Sequence, residues 1–200
     1  MIRLGDSAGG SIRLLEQLQS TTIPGYPHWN YTEMLGGIPV VGAALGSIAG
    51  LGAVKVVASH FSVMAKGTSQ VFAAGPPVVE RGLGEKVTKE DLGGSQVHAR
   101  GSGVVDNEAE NEDDAFQQIR RFLSYLPANV YGVPLTVASD DDPNRRDEFL
   151  LSAIPRESRR PYNVRKILES ILDRGSIFEI GAYQGPSIVT CLAGLSGRSV

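Results

Sequence analysis

Two hundred residues with 42% apolar and 20% charged content suit one medium domain, or one domain and the start of a second, with a core of useful size. The formal net charge of −3 offers no basic face for nucleic acid, and the arginine pairs at 120/121, 145/146 and 159/160 lie beside acids or prolines as solvated surface. Cys191 is the single cysteine, which excludes an intramolecular disulfide and a thiolate zinc site and fits a reducing compartment; His28, His60 and His98 show no ligand spacing, so no metal is expected.

Met1 to Leu4 reads as the end of a strand. Asp6 to Ser11, DSAGGS, is a small-residue loop. Ile12, Leu14, Leu15 and Leu18 follow at helical spacing, so a helix is predicted from about Ser11. Ser20 to Tyr31 carries Pro24, Gly25 and Pro27 and reads as a loop. Ile38 to Leu45 is strand-like, Gly46 to Gly52 is a second small-residue turn, Ala53 to Ala58 a helix, and Phe61 to Ala65 a short strand. The apolar run from Ile38 to Ala58 is too broken by glycine, proline, serine and lysine for a membrane span. Asp6 argues against a signal peptide in the first ten residues. Strand, glycine turn and helix, occurring twice, predict α/β layering with crossovers.

Gly75, Pro76 and Pro77 punctuate the chain before a helix beginning at Val78 to Arg81. Thr88 is a predicted N-cap with Asp91 three residues on, and Gly93 and Gly94 stop that helix. The acidic run Asp106 to Asp114 leads into Ala115, Ile119, Phe122, Leu123 and Leu126, an amphipathic helix with acids at its N-terminus, ended by Pro127. Glu108, Glu110, Glu112, Asp113 and Asp114 read as solvated caps rather than a metal cluster. Tyr131 to Asp142 is a linker candidate, and Asp147 to Ile154 a short helix or extended arm. Asn163 to Leu172 is a helix ended by Gly175. Ile177 to Ile180 and Ile188 to Leu192 read as strands joined by a glycine-containing loop.

The loop Asp6 to Ser11 leaves backbone N–H groups unshielded at a helix start. Such groups bind anions and can stabilise an oxyanion. A plain tight turn is the alternative. The string IPVVGAALGSIAGLGA holds a second such turn. Two facing donors are what an enolate oxyanion needs, but spacing leaves open whether the turns converge. Ser7 has no placed base and is not a nucleophile. Neither loop matches a P-loop or a dinucleotide fingerprint. Lys66, with Thr68 and Ser69, could meet a phosphate; a surface lysine is the alternative.

Three long strings carry a resemblance: KGTSQVFAAGPPVV, GEKVTKEDLGGSQVHARGSGVVDNEAENEDDAFQQIRRFLSYLP, and DDDPNRRDEFLLSAIPRESRRPYNVRKILESILDRGSIFEI. In order and spacing they resemble the carboxyltransferase β subunits of biotin-dependent propionyl-CoA and methylcrotonyl-CoA carboxylases, over essentially the whole chain. The resemblance implies an α/β, crotonase-like (ClpP/crotonase) β-β-α superhelix. Residues 1–134 would be the later part of the N-terminal carboxyltransferase domain, 135–162 a linker or arm, and 163–200 the start of the C-terminal domain.

It also implies a function: transfer of a carboxyl group from carboxybiotin to the α-carbon of an acyl-CoA, with the enolate held by backbone N–H groups. The DSAGGS loop matches a DSGGAR-like loop and implicates Ala8, Gly9 and Gly10 as the backbone oxyanion site. IAGLGA matches a CAGGGA-like turn and implicates Gly50, Leu51 and Gly52 in substrate binding. Lys66, Thr68 and Ser69 match a KGTS string near the acyl-CoA site. Alanine at position 8 and leucine at 51 replace family glycines, so Ala8 would resist a positive φ and Leu51 would add bulk to the acyl pocket.

Implied partners are acyl-CoA, a biotin carboxylase or biotin carrier subunit, and further copies in a homo-oligomer, in the cytoplasm or mitochondrial matrix. The carboxyltransferase component of a sodium-pumping acyl-CoA decarboxylase fits the same strings, and a non-catalytic remnant is a third reading. The family has sequence on both sides of this stretch, so the chain is expected to be a partial product or subunit piece, inactive alone.

Overall fold

The computed structural model describes residues 1–10, 12–19 and 31–200. Its main sheet has five strands: β1 (Ile2–Ser7), β2 (Val41–Ala49), β3 (Phe61–Ala65), β4 (Gln70–Phe72) and β5 (Asn107–Ala109). The order is β1-β2-β3-β5 and every pairing is parallel. β4 pairs with the far end of β2, at Ser47, Ile48 and Ala49. Parallel sheets need cover on both faces. In the central strand β2, Val41, Ala43, Ala44 and Ile48 are all fully buried.

The helices are α1 (Ile12–Leu18), α2 (Tyr31–Gly37), α3 (Leu51–Val57), α4 (Pro76–Leu83), α5 (Lys89–Gly93), α6 (Glu112–Ser124) and α7 (Val164–Ile171). A π-helical stretch, Gln96–Ser102, follows α5, and a 3-10 turn spans Glu148–Leu151. α3 covers one sheet face: Ala53 and Val56 pack with Ala44, Ile48, Met64 and Val71. This approach is close, since a Cβ on Gly42 would collide with the Val56 backbone. α6 covers the other face, where Ala115, Ile119 and Phe122 pack with Val41, Ala43, Phe61 and Val63. Phe61 stacks on Phe122 at 4.9 Å and meets Phe178 edge-on at 5.4 Å, pairings worth about 0.5–1.5 kcal/mol each beyond the buried area.

Phe178 belongs to β6 (Phe178–Ile180), which pairs antiparallel with β7 (Thr190–Leu192). A second hairpin joins β8 (Gly194–Leu195) to β9 (Arg198–Ser199). Asn107 of β5 fastens this region: its Nδ2 donates to the Glu179 carbonyl, and its Oδ1 accepts from Gly181 N–H.

Several elements match the sequence expectation closely. β3 has the expected bounds, and Thr88 caps α5 by accepting from the Asp91 N–H at 3.1 Å. Others differ. Gly46 to Ala49 belong to β2 rather than to a turn, because Ser47 to Ala49 gain a second parallel partner in β4. Tyr31 opens α2 instead of closing a loop; the rest of that expected loop, and the helix start at Ser11, lie outside the described residues. The acidic run contains β5, which spacing did not suggest. Glu108 is not a solvated cap: its side chain is 2% exposed, in an ion pair with Arg100. The Ile38–Ala58 run folds as β2 and α3, and among the described residues no helix is long and apolar enough to cross a membrane.

Candidate functional site

The C-terminal ends of the parallel strands bring the two glycine-bearing segments together. Ser7, at the end of β1, lies beside Ile48 near the end of β2. Beyond that register the chains stay in contact. A Cβ built on Gly9 would sit 3.2 Å from Ala49 Cβ, and one on Gly52 would sit 3.5 Å from Ser7 Cβ. The convergence that spacing left open is therefore present. In open α/β sheets this end of the strands is where ligands bind.

Backbone conformation explains which residues each turn requires. Gly9 has φ +83° and Gly50 has φ +63°, ψ −129°, both in territory that favours glycine. Ala8 and Leu51 do not carry a positive φ. Alanine and leucine thus stand where the backbone has no need of glycine. Leu51 is the first residue of α3 and half-exposed. The Gly50 N–H donates to the Phe72 carbonyl at 3.1 Å, so it is engaged. The N–H groups of Leu51 and Gly52 fall in the first turn of α3, where no intrahelical acceptor exists. In the other turn, Ala8, Gly9 and Gly10 are exposed, with open space around Gly10. Gly9 N–H makes a long bond to Ser7 Oγ at 3.4 Å.

Lys66, Gly67 and Thr68 form the turn leaving β3, at the same end of the sheet. Lys66 and Thr68 are exposed, and Lys66 Nζ is 3.4 Å from Glu110 at the end of β5. Ser69 differs. It is fully buried, and its hydroxyl donates to the Ala65 carbonyl at 2.6 Å, closing the turn.

The carboxyl transferase domain family matches residues 1–200, the whole chain. The chain belongs to the carboxyl transferase domain family. Among curated relatives, the methylmalonyl-CoA decarboxylase subunit alpha of Veillonella parvula is 36% identical over 197 residues, covering 98% of this chain and 39% of the relative. The propionyl-CoA carboxylase carboxyltransferase subunit of Haloferax mediterranei is 36% identical over 200 residues, covering 100% of this chain and 38% of the relative. The crystal structure of the transcarboxylase 12S hexamer core, with hydrolysed methylmalonyl-CoA bound, superposes with a TM-score of 0.87 at 28% identity, over 100% of this chain and 39% of that one. The fold is therefore the crotonase-like carboxyltransferase α/β fold. The chain spans about two fifths of the length of these relatives.

Two polar networks in this carboxyl transferase chain had no signal in spacing. In one, Arg100 Nη2 donates to Glu108 Oε1 at 2.8 Å and to Tyr183 Oη at 3.2 Å, with the guanidinium 4.0 Å over the Tyr183 ring. The Arg100 guanidinium holds the Glu108 carboxyl below the usual carboxylate range against the opposing effect of burial. In the other, Ser47 Oγ donates to Gln70 Oε1 at 2.6 Å and accepts from Lys89 Nζ at 3.3 Å, while Gln70 Nε2 donates to Glu90 Oε2 at 3.2 Å. The partners of the second network are 20 to 42 residues apart, and Arg100 and Tyr183 are 83 apart, so only the fold unites them.

Proposed function

We propose that this chain is part of the carboxyltransferase component of a biotin-dependent acyl-CoA carboxylase, and that its two converging turns hold the acyl-CoA thioester. The observation that carries this reading is the contact between Gly9 and Ala49, which sets the Ala8–Gly10 segment beside the start of α3. The match of the carboxyl transferase family to the whole chain supports it.

In this reading the thioester oxygen lies against backbone N–H groups of Ala8, Gly9 and Gly10 on one side, and of Leu51 and Gly52 on the other. Removal of an α-proton puts negative charge on that oxygen, and fixed donors stabilise it without reorganising. Gly50 serves by shape: its positive φ aims the first turn of α3 at the loop. Lys66 and Thr68 are exposed at the same sheet end and suit the polar part of the CoA. Ser69 supports their turn from below. Carboxybiotin would arrive as the second substrate on another polypeptide, and no residue here is assigned to it. Residues 1–134 form the later part of a first carboxyltransferase domain, 135–162 an arm, and 163–200 the start of a second.

A carboxytransferase component of an acyl-CoA decarboxylase is the second reading, supported by the Veillonella parvula relative. Both readings require CoA thioester binding. Isothermal titration of the chain with propionyl-CoA and with free CoA tests them together. Saturable binding that is tighter for the thioester is expected; equal affinity for both, or none, contradicts a thioester site at the turns.

A further inference from the structure

β4 is three residues long and, among the described residues, pairs only with β2. Yet it bears on both turns of the candidate site. Phe72 is the register partner of Ala49, the residue whose methyl lies against Gly9. The Phe72 carbonyl also accepts from the Gly50 N–H at 3.1 Å. Where β4 lies therefore sets where Ala49 and Gly50 lie. A strand this short has little pairing of its own to keep it in place.

Two residues from α5 and the π-helical stretch close on β4 at one atom, the Val71 carbonyl oxygen. Gly93 packs flat against it: a Cβ built there would come within 2.4 Å. His98 Nε2 meets the same oxygen at 2.6 Å. A carbonyl has no proton to give, so Nε2 carries one and donates it. The backbone behind the ring is fixed as well. The His98 N–H donates to the Gly94 carbonyl at 3.2 Å, and the His98 carbonyl accepts from the Val105 N–H at 3.3 Å. The π-helical geometry that carries this histidine is rare and recurs at functional sites.

The other ring nitrogen shows what the imidazole is for. His98 Nδ1 is buried and has no hydrogen-bond partner among the described residues. A buried polar atom left unmatched costs stability, and an apolar side chain of similar size would avoid that cost. Packing alone thus gives no reason for a histidine here, whereas the bond to Val71 does. We propose that His98 is a positioning residue for the candidate thioester site, a role that rests on the thioester reading above. Its bond to Val71 pins β4, and β4 in turn holds Ala49 against Gly9 and Gly50 at the head of α3. His98 acts through the strand and not by touching the substrate.

The test compares the native chain with His98→Leu, with His98→Gln, whose amide offers an N–H at similar reach, and with Phe122→Leu, which weakens the opposite face of the sheet. Each is titrated calorimetrically with propionyl-CoA and with free CoA. His98→Leu is expected to weaken propionyl-CoA binding about tenfold, the loss of one hydrogen bond's worth of positioning, and to leave free CoA nearly unaffected. His98→Gln restores most of the preference. Phe122→Leu lowers the melting temperature and keeps the preference. In the ligand-free chain, amide NMR reads the same link without substrate: the Gly50 N–H signal shifts in His98→Leu and returns in His98→Gln. An unmoved Gly50 signal, or a thioester preference that His98→Leu keeps or that Phe122→Leu loses equally, overturns the role of His98 and leaves the thioester reading intact. A native chain with no preference for the thioester overturns that reading and, with it, this role for His98.

Discussion

Glu108 and Arg100 form a bidentate pair in which Glu108 Oε1 lies 2.8 Å from Nη2 and the glutamate side chain is almost wholly buried. The pair joins β5 to the π-helical stretch, and through Tyr183 it reaches the loop after β6. Gln184 adds a bond from its Nε2 to the Arg100 carbonyl at 2.7 Å. Glu108→Ala deletes the hydrogen bonds that tie β5 to Arg100 and leaves a gap where the buried side chain packed, so it is expected to lower the melting temperature by several degrees. Calorimetry of the purified chain checks this; an unchanged melting temperature would place Glu108 in solvent.

The same carboxyl gives a pH dependence, together with Asp173. Asp173 accepts from Gly197 N–H at 2.7 Å and Ser196 N–H at 2.9 Å, which hold its carboxyl below the usual range. For both groups the folded pKa lies below the unfolded value of about 4. Their stabilisation is in place above that value and is lost as the pH falls through the folded pKa. Melting temperature should thus fall steeply below about pH 4, and the fall should be shallower in Glu108→Gln and Asp173→Asn. Parallel pH profiles for native and variant chains would contradict the assignment.

Lys66 and Ser69 lie three residues apart but are expected to behave differently. The Lys66–Glu110 pair is exposed and worth about 0–1 kcal/mol, so Lys66→Ala leaves the melting temperature nearly unchanged while weakening CoA binding in a salt-dependent way. Ser69→Ala deletes a buried bond and costs about 1 kcal/mol of stability. Urea titration and CoA-binding calorimetry on the two variants separate the roles.

These residues also mark how far the sequence was legible. β3 and the Thr88 cap depend on neighbours within a few residues, and both follow the expected pattern. The strand character of Gly46 to Ala49 depends on pairing with Gln70 to Phe72, a long-range fact invisible to a local reading that sees glycine and serine. Glu108 looks like its acidic neighbours until Arg100 is brought against it by the π-helical turn. Of the expected Gly46–Gly52 turn only Gly50 lies between strand and helix, and its convergence with the Gly9 loop was not readable, because it is set by the parallel register of β1 with β2. The departure at Ala8 asks nothing unusual of the backbone, since the positive φ of that loop falls on Gly9.

Gly50 is the point where turn geometry and proposed function meet. Any side chain there is strained, at a cost of about 1–3 kcal/mol, and relief of that strain would rotate the Leu51 and Gly52 N–H groups away from the Gly9 loop. Gly50→Ala is expected to weaken thioester binding at least tenfold while the chain stays folded. Titration calorimetry beside circular dichroism reads both effects.

The central claim is that both turns contact one thioester. Amide NMR of the isotopically labelled chain, titrated with propionyl-CoA, tests it most directly. The account predicts saturable shifts at the N–H groups of Gly9 and Gly10 and of Leu51 and Gly52, with one common dissociation constant. Shifts confined to one turn, differing constants, or no shift at either turn would contradict it.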